Sequence, residues 1–100
     1  LIVIFAERYG LNKDGSRRKN YYVNESVGIA TGFLISAIHN AGLVCLTHTP
    51  NPMKFLNSMC LRPINEKPIM ILPVGYASAD ATIPAASTNK KPRDEIMSVI

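Results

Sequence analysis

The apolar residues of the chain are spaced in two different ways. Leu1 to Phe5 is an unbroken apolar run rich in β-branched residues, which predicts a strand buried on both faces in the middle of a sheet. Ile69 to Tyr76 is a second run of the same kind. Between Val27 and Ala41, by contrast, apolar residues recur at helical spacing. The pattern therefore predicts buried strands and one long helix.

The long helix has recognisable signals at both ends. Asn24 suits the N-cap position, Glu25 suits the first turn, and Gly42 suits the left-handed residue that stops a helix. The side away from the apolar stripe carries no charged residue, so we expect burial nearly all round and hence two packing partners. Gly28 and Gly32, four positions apart, form a small-residue groove that another helix can approach closely. These features predict a central helix at a subunit interface.

A short strand and a polar tip follow the helix. Leu43 to Leu46 is a continuous apolar run between turn signals, which predicts a buried strand. Thr47, His48 and Thr49 come next, and Pro50 restricts Thr49 to an extended conformation. Because ligands of α/β sheets bind beyond the carboxyl ends of strands, these three residues are a candidate ligand edge. An ordinary polar loop is the alternative, and spacing alone favours the loop.

The segments around these elements carry turn and breaker signals. Glu7 to Asn20 is polar, contains Asp14-Gly15, and predicts an exposed loop. Asn51-Pro52 predicts the N-cap and first residue of a short helix that runs to about Leu61. Glu66 to Pro68 predicts a turn before the second apolar strand.

The C-terminal segment predicts an arm. Ala77 to Asn89 has no periodicity, and a basic segment then precedes Ile96 to Ile100, an apolar run that predicts a terminal strand. This strand has no obvious partner among the other segments. We expect it to pair with the edge of a second subunit's sheet.

Size and hydropathy limit the class of protein. A chain of 100 residues allows one domain or part of one, and 47% hydrophobic residues is high for a small free-standing domain. Apolar surface is therefore expected to meet a partner or a further part of the chain. The first residue is not Met, and we expect a fragment of a longer domain. No apolar run approaches the roughly 20 residues that span a bilayer, and the N-terminus lacks a signal-peptide pattern.

Charge and cysteine spacing favour no nucleic-acid or metal site. The net charge of +4 comes largely from two basic clusters, one around Arg17 to Lys19 and one at Lys90, Lys91 and Arg93. The first has no nucleic-acid-binding motif and is interpreted as a solvated loop. Cys45 and Cys60 lack CxxC spacing, and two histidines are too few for a metal cluster.

Several segments together resemble a known family. They are Tyr21–Glu25, Val27–Ala37, Asn40–Val44, Thr47–Pro50, Leu61–Pro63, Asn65–Lys67, Leu72–Tyr76, Asp80–Pro84 and Lys90–Pro92. In these segments the sequence resembles the flavin-dependent nitroreductase family, and within it the branch that removes iodide from iodotyrosines. The match runs through the whole chain.

The resemblance implies an α+β, nitroreductase-like, FMN-dependent fold, of which residues 1–100 are the C-terminal part of a single domain. It implies a domain-swapped homodimer with FMN at the subunit interface, the long helix at its core and the arm wrapped on the other subunit. The implied reaction is reductive dehalogenation of iodotyrosines for iodide salvage, with electrons from NADPH. It also implies a membrane anchor upstream of a soluble catalytic domain, with no membrane contact from these residues.

The resemblance also assigns site residues. Thr47, His48 and Thr49 are implied to lie at the flavin, with the Thr49 hydroxyl at N5 as the catalytic contact. Lys90 stands where the family usually has an arginine against the FMN phosphate, and Lys91 is the neighbouring candidate. His48 replaces a threonine of the family pattern. Substrate-gripping residues of the family lie upstream of Leu1, so we expect the fragment alone to be inactive.

Two other functions stay open from the residues. One is a general NAD(P)H-dependent nitroreductase-like flavin reductase with another substrate. The other is a non-catalytic chain whose basic clusters bind an anionic partner.

Overall fold

The elements of the fold alternate between short strands and helices. A computed structural model describes all residues 1–100. In chain order the elements are β1 (Ile2–Glu7), β2 (Tyr9–Leu11), β3 (Arg17–Lys19), α1 (Val23–Asn40), β4 (Val44–Cys45), α2 (Phe55–Met59), β5 (Glu66–Leu72), β6 (Val74–Gly75), a 3₁₀ turn (Ala85–Thr88) and α3 (Arg93–Ile96).

The segment β5–β6 is the centre of the sheet. On one side β5 pairs antiparallel with β1, from Ile2 opposite Leu72 to Glu7 opposite Glu66. On the other side β6 pairs antiparallel with β4. Within residues 1–100 β1 therefore pairs on one side only. Its predicted position in the middle of a sheet is not reached in this chain and stays a prediction for the longer protein.

Pro73 explains why the central strand is divided in two. The pairing of β4 with β6 continues in the same register to His48, which lies opposite Ile71. Between them, Leu46 N–H donates to the Pro73 carbonyl at 3.2 Å. Pro73 has no N–H to return the bond, so one rung of the ladder is lost. The predicted strand at 69–76 is therefore present but interrupted.

The predicted turn at Glu66 to Pro68 is wrong, because these residues begin β5. Pro68 is buried opposite Phe5, next to a register shift between Ile4 and Phe5. Proline occurs in strands mainly at edges and irregularities of this kind, since it cannot donate to a regular ladder. The irregularity therefore accommodates Pro68 within the strand.

The start of α1 differs from the prediction, and its end agrees with it. Tyr22, in the left-handed region at φ 54°, is the N-cap, and Ser26 N–H donates to its carbonyl at 2.9 Å. Asn24 therefore lies inside the first turn, and its prediction as N-cap is wrong. Gly42 has φ +76°, which confirms it as the left-handed residue after the helix.

The predicted burial of α1 on all sides is not reached within this chain. Thr31 and Ile38 are buried, whereas Phe33 is 74% exposed. The radius of gyration is 17.5 Å, against about 13 Å for a compact domain of this length. The chain therefore leaves one face of α1 uncovered. No helix in the structure has the length and apolar character needed to cross a membrane.

The segment predicted as a loop between Glu7 and Asn20 contains a hairpin. Strands β2 and β3 pair antiparallel, and Arg17 stacks over the Tyr9 ring at 4.4 Å. In the turn, Asp14 accepts hydrogen bonds from the backbone and hydroxyl of Ser16, which lower the pKa of its carboxyl. The exposure of β3 agrees with the prediction. The strands were missed because no apolar alternation marks them.

Helix α2 begins later than predicted. Leu56 N–H donates to the Met53 carbonyl at 3.0 Å, so the first turn opens at Met53 and Asn51-Pro52 lie before it. Leu56 is buried, and α2 packs against β5.

The arm is exposed as predicted, but its terminal strand is wrong for the single chain. Arg93–Ile96 forms one helical turn, and the residues after it are exposed and unpaired. Pairing of the arm with another subunit stays a prediction.

Candidate cofactor site

The polar tip after β4 is fixed to the central strand. His48 N–H donates to the Ile71 carbonyl at 2.9 Å, and Ile71 N–H donates to the His48 carbonyl at 2.8 Å. This reciprocal pair is the closely bonded type of antiparallel pairing. The tip is therefore an extension of the sheet and not a free loop.

This pairing divides the three candidate residues between two faces. Successive side chains of an extended strand point to opposite faces. Thr47 and Thr49 therefore share one face, and His48 projects from the other. By the same register Thr47 lies opposite Leu72, which is completely buried, so the threonine face is the face of the core. One ligand on that face can meet both threonines but not the His48 ring.

The hydrogen-bonding groups of the tip differ in availability. The hydroxyls of Thr47 and Thr49 make no hydrogen bond to the protein, and both residues are exposed. The backbone N–H of His48 is already bonded to Ile71. Two free hydroxyls suit the heteroatoms at the edge of a flavin ring. The free hydroxyls of Thr47 and Thr49 therefore fit the predicted flavin contacts. His48 fits less well, because its backbone N–H is already used and its ring projects from the other face.

Lys90 lies on the arm, apart from the threonines. Its N–H donates to the Thr88 carbonyl at 3.0 Å, and no carboxylate pairs with its ammonium group. No hydrogen bond joins residues 77–100 to the sheet or to α1. An exposed, unpaired cation suits a phosphate. The single chain thus holds the predicted ring contacts and the predicted phosphate contact on segments that it does not bring together.

A cleft of about 560 Å³ lies beside Thr49 and was not predicted. Thr49 lines it together with three cations: Arg8 directly after β1, Lys54 before α2, and Lys67 in β5. Glu66 of β5 lines it as well. Sequence reasoning missed the cleft because these cations are isolated along the chain, outside both basic clusters. Arg8 and Lys67 come together only through the pairing of β1 with β5.

Glu66, the acidic residue that lines this cleft, is already paired. Glu66 accepts two hydrogen bonds from the guanidinium of Arg62, at 2.6 and 2.5 Å. These bonds lower the pKa of the Glu66 carboxyl and raise that of Arg62. Glu66 is therefore held in its charged form by Arg62.

The relatives found by comparison with known proteins are iodotyrosine deiodinases. No protein-family model matches the chain. The iodotyrosine deiodinase of Haliscomenobacter hydrossis is 58% identical over 84 residues, which are 84% of this chain and 38% of that protein. That of Nematostella vectensis is 48% identical over 98 residues, 97% of this chain and 36% of that protein. Human iodotyrosine deiodinase 1 is 45% identical over 98 residues, 97% of this chain and 33% of that protein.

A solved structure agrees with these relatives. It is a crystal structure of oxidized iodotyrosine deiodinase bound to FMN and 3-iodo-L-tyrosine, with a TM-score of 0.64 and 27% identity. The match covers 97% of this chain and 44% of that one. The predicted α+β, nitroreductase-like fold and the family resemblance are thereby confirmed. The chain spans between a third and two fifths of the length of these three relatives.

Proposed function

This chain belongs to the iodotyrosine deiodinase branch of the nitroreductase family, and on that premise we propose that the full-length protein is an FMN-dependent oxidoreductase that dehalogenates iodotyrosines. The observation that carries the proposal is the agreement of sequence and fold over 97% of the chain with deiodinases, one of them bound to FMN and 3-iodo-L-tyrosine. NADPH is the proposed source of the electrons.

The chain contributes part of the proposed FMN site. Bound FMN would supply two electrons, which together with a proton from solvent replace the carbon–iodine bond by a carbon–hydrogen bond and release iodide. Thr49, the proposed catalytic contact, would donate its hydroxyl at flavin N5, and Thr47 projects from the same face. The backbone of His48 holds both threonines in place through Ile71. Lys90 contacts the phosphate.

A homodimer accounts for the separation of these residues. Along α1, Ile29 and Phe33 are 62% and 74% exposed, and no atom outside the helix lies within 4 Å of a Cβ placed on Gly28 or Gly32. A second copy of α1 can therefore approach this face closely. In such a dimer the arm of one subunit brings Lys90 to the threonines of the other.

Flavin content tests this proposal. Full-length protein should purify yellow, with about one FMN per chain by absorbance after denaturation, because each subunit contributes to one site. Apoprotein should recover the colour when FMN is added. A colourless protein that added FMN does not turn yellow would contradict the proposal and favour a non-catalytic chain.

A further inference from the structure

Three cations line the cleft beside Thr49, and the strand pairing fixes two of them on one face. Arg8 N–H donates to the Asn65 carbonyl at 2.9 Å, and Lys67 lies opposite Ala6. Because residues opposite each other share a face of the sheet, Arg8 and Lys67 project from the same face at diagonal positions.

The acidic residues of these strands project the other way. Glu7 and Glu66 are directly opposite each other, one position out of phase with Arg8 and Lys67. Glu66 nevertheless lines the cleft, but its carboxylate is bound to Arg62 and not to any of the three cations.

The third cation is held at the cleft by α2. Asn57 N–H donates to the Lys54 carbonyl at 3.2 Å, and the Asn57 amide donates to the Glu66 carbonyl at 2.7 Å. These bonds tie the first turn of α2 to β5. The backbone of Lys54 is therefore fixed beside β5, and the residue lines the same cleft as the other two cations.

The cations keep free donors in the cleft. Arg8 uses one guanidinium N–H on the Ile64 carbonyl at 3.0 Å, and neither lysine ammonium has a hydrogen-bond partner in the protein. No carboxylate forms a salt bridge with any of the three cations. The cleft volume of about 560 Å³ lies in the range of small-molecule sites.

We propose that this cleft, formed by Arg8, Lys54 and Lys67 beside Thr49, binds the phosphate group of a small-molecule ligand. The inference builds on the proposed function, since the neighbouring threonine is a proposed FMN contact. Phosphate oxygens accept from several cations at once, and such charge-assisted bonds are the strong ones. Because Lys90 is the proposed contact of the FMN phosphate, the phosphate in this cleft is that of a second ligand such as the electron donor. Occupation by the FMN phosphate is the alternative that the test separates.

Titration of FMN-loaded full-length protein with inorganic pyrophosphate, followed by calorimetry, tests for a second ligand. The variant Arg8→Gln/Lys67→Gln should bind it at least roughly tenfold more weakly, because two charge-assisted contacts are lost. The control Lys13→Gln/Arg17→Gln removes the same charge from the exposed hairpin and should stay within about twofold of wild type. Lys67→Arg, which keeps the charge, should retain most of the binding.

FMN affinity of the same variants distinguishes the source of the phosphate. If the FMN-loaded protein binds no pyrophosphate but the cleft variant loses FMN affinity about tenfold, the phosphate is the cofactor's own. If Arg8→Gln/Lys67→Gln binds pyrophosphate as tightly as Lys13→Gln/Arg17→Gln does, and the two variants also bind FMN equally tightly, the cleft proposal is wrong. Pyrophosphate binding does not depend on iodide release, so this failure would leave the proposed function standing.

Discussion

Lys90→Ala should weaken FMN binding by roughly tenfold to a hundredfold in the full-length protein. The substitution removes the proposed charge-assisted contact to the FMN phosphate, and such contacts contribute about 1.5–3 kcal/mol. The remaining binding should depend less on ionic strength, since one screened attraction is gone. Dissociation constants measured by flavin fluorescence at low and high salt check both expectations.

Two matched variants show whether this loss is specific. Lys91→Ala removes the same charge one residue away and should change FMN affinity by less than about threefold if Lys90 is the contact. Thr49→Ala removes a neutral hydrogen bond, typically worth about 0.5–1.5 kcal/mol, so iodide release should fall more than FMN affinity. If Lys90→Ala leaves affinity unchanged and Lys91→Ala lowers it, the assignment moves to Lys91.

Deletion of Pro92 to Ile100 should weaken dimerisation and FMN retention together. Ile96 is 68% exposed and Val99 is 83% exposed, and the segment makes no hydrogen bond to the rest of its own chain. Burial of these side chains on a second subunit would stabilise the dimer through the hydrophobic effect. Sedimentation of wild-type and truncated full-length protein, with FMN content measured on the same samples, follows both quantities.

A control variant shows whether the arm forms part of the dimer interface or is an exposed tail without a partner. A control that replaces Ile96, Val99 and Ile100 by serine keeps the chain length and should reproduce the loss of dimer. Retention of both dimer and FMN after the deletion would show that the arm takes no part in the interface.

The local signals in the sequence located most elements but not their partners. The apolar runs placed β1 and the central strand, and Gly42 marked the end of α1 because its position requires a left-handed backbone. The turn predicted at Glu66 to Pro68 was wrong because a proline can occur in a strand beside a register shift. Asn24 misled it because Tyr22 adopts the cap conformation two residues earlier.

The candidate site could be predicted only in part, because local sequence patterns do not show which strands pair. The composition of Thr47 to Thr49 pointed to a polar tip after a strand. Their division between two faces depends on the register with Ile71, which is a long-range pairing. The cation cleft depends likewise on Arg8 and Lys67 meeting across two strands that are far apart in sequence.

Iodide release from 3-iodo-L-tyrosine by the FMN-loaded full-length protein tests the central claim most directly. With NADPH or a chemical reductant supplied without oxygen, one iodide and one tyrosine should form per iodotyrosine consumed, and nitroaromatic compounds should react more slowly. A yellow protein that reduces nitroaromatic compounds but releases no iodide would contradict the claim and indicate a general flavin reductase.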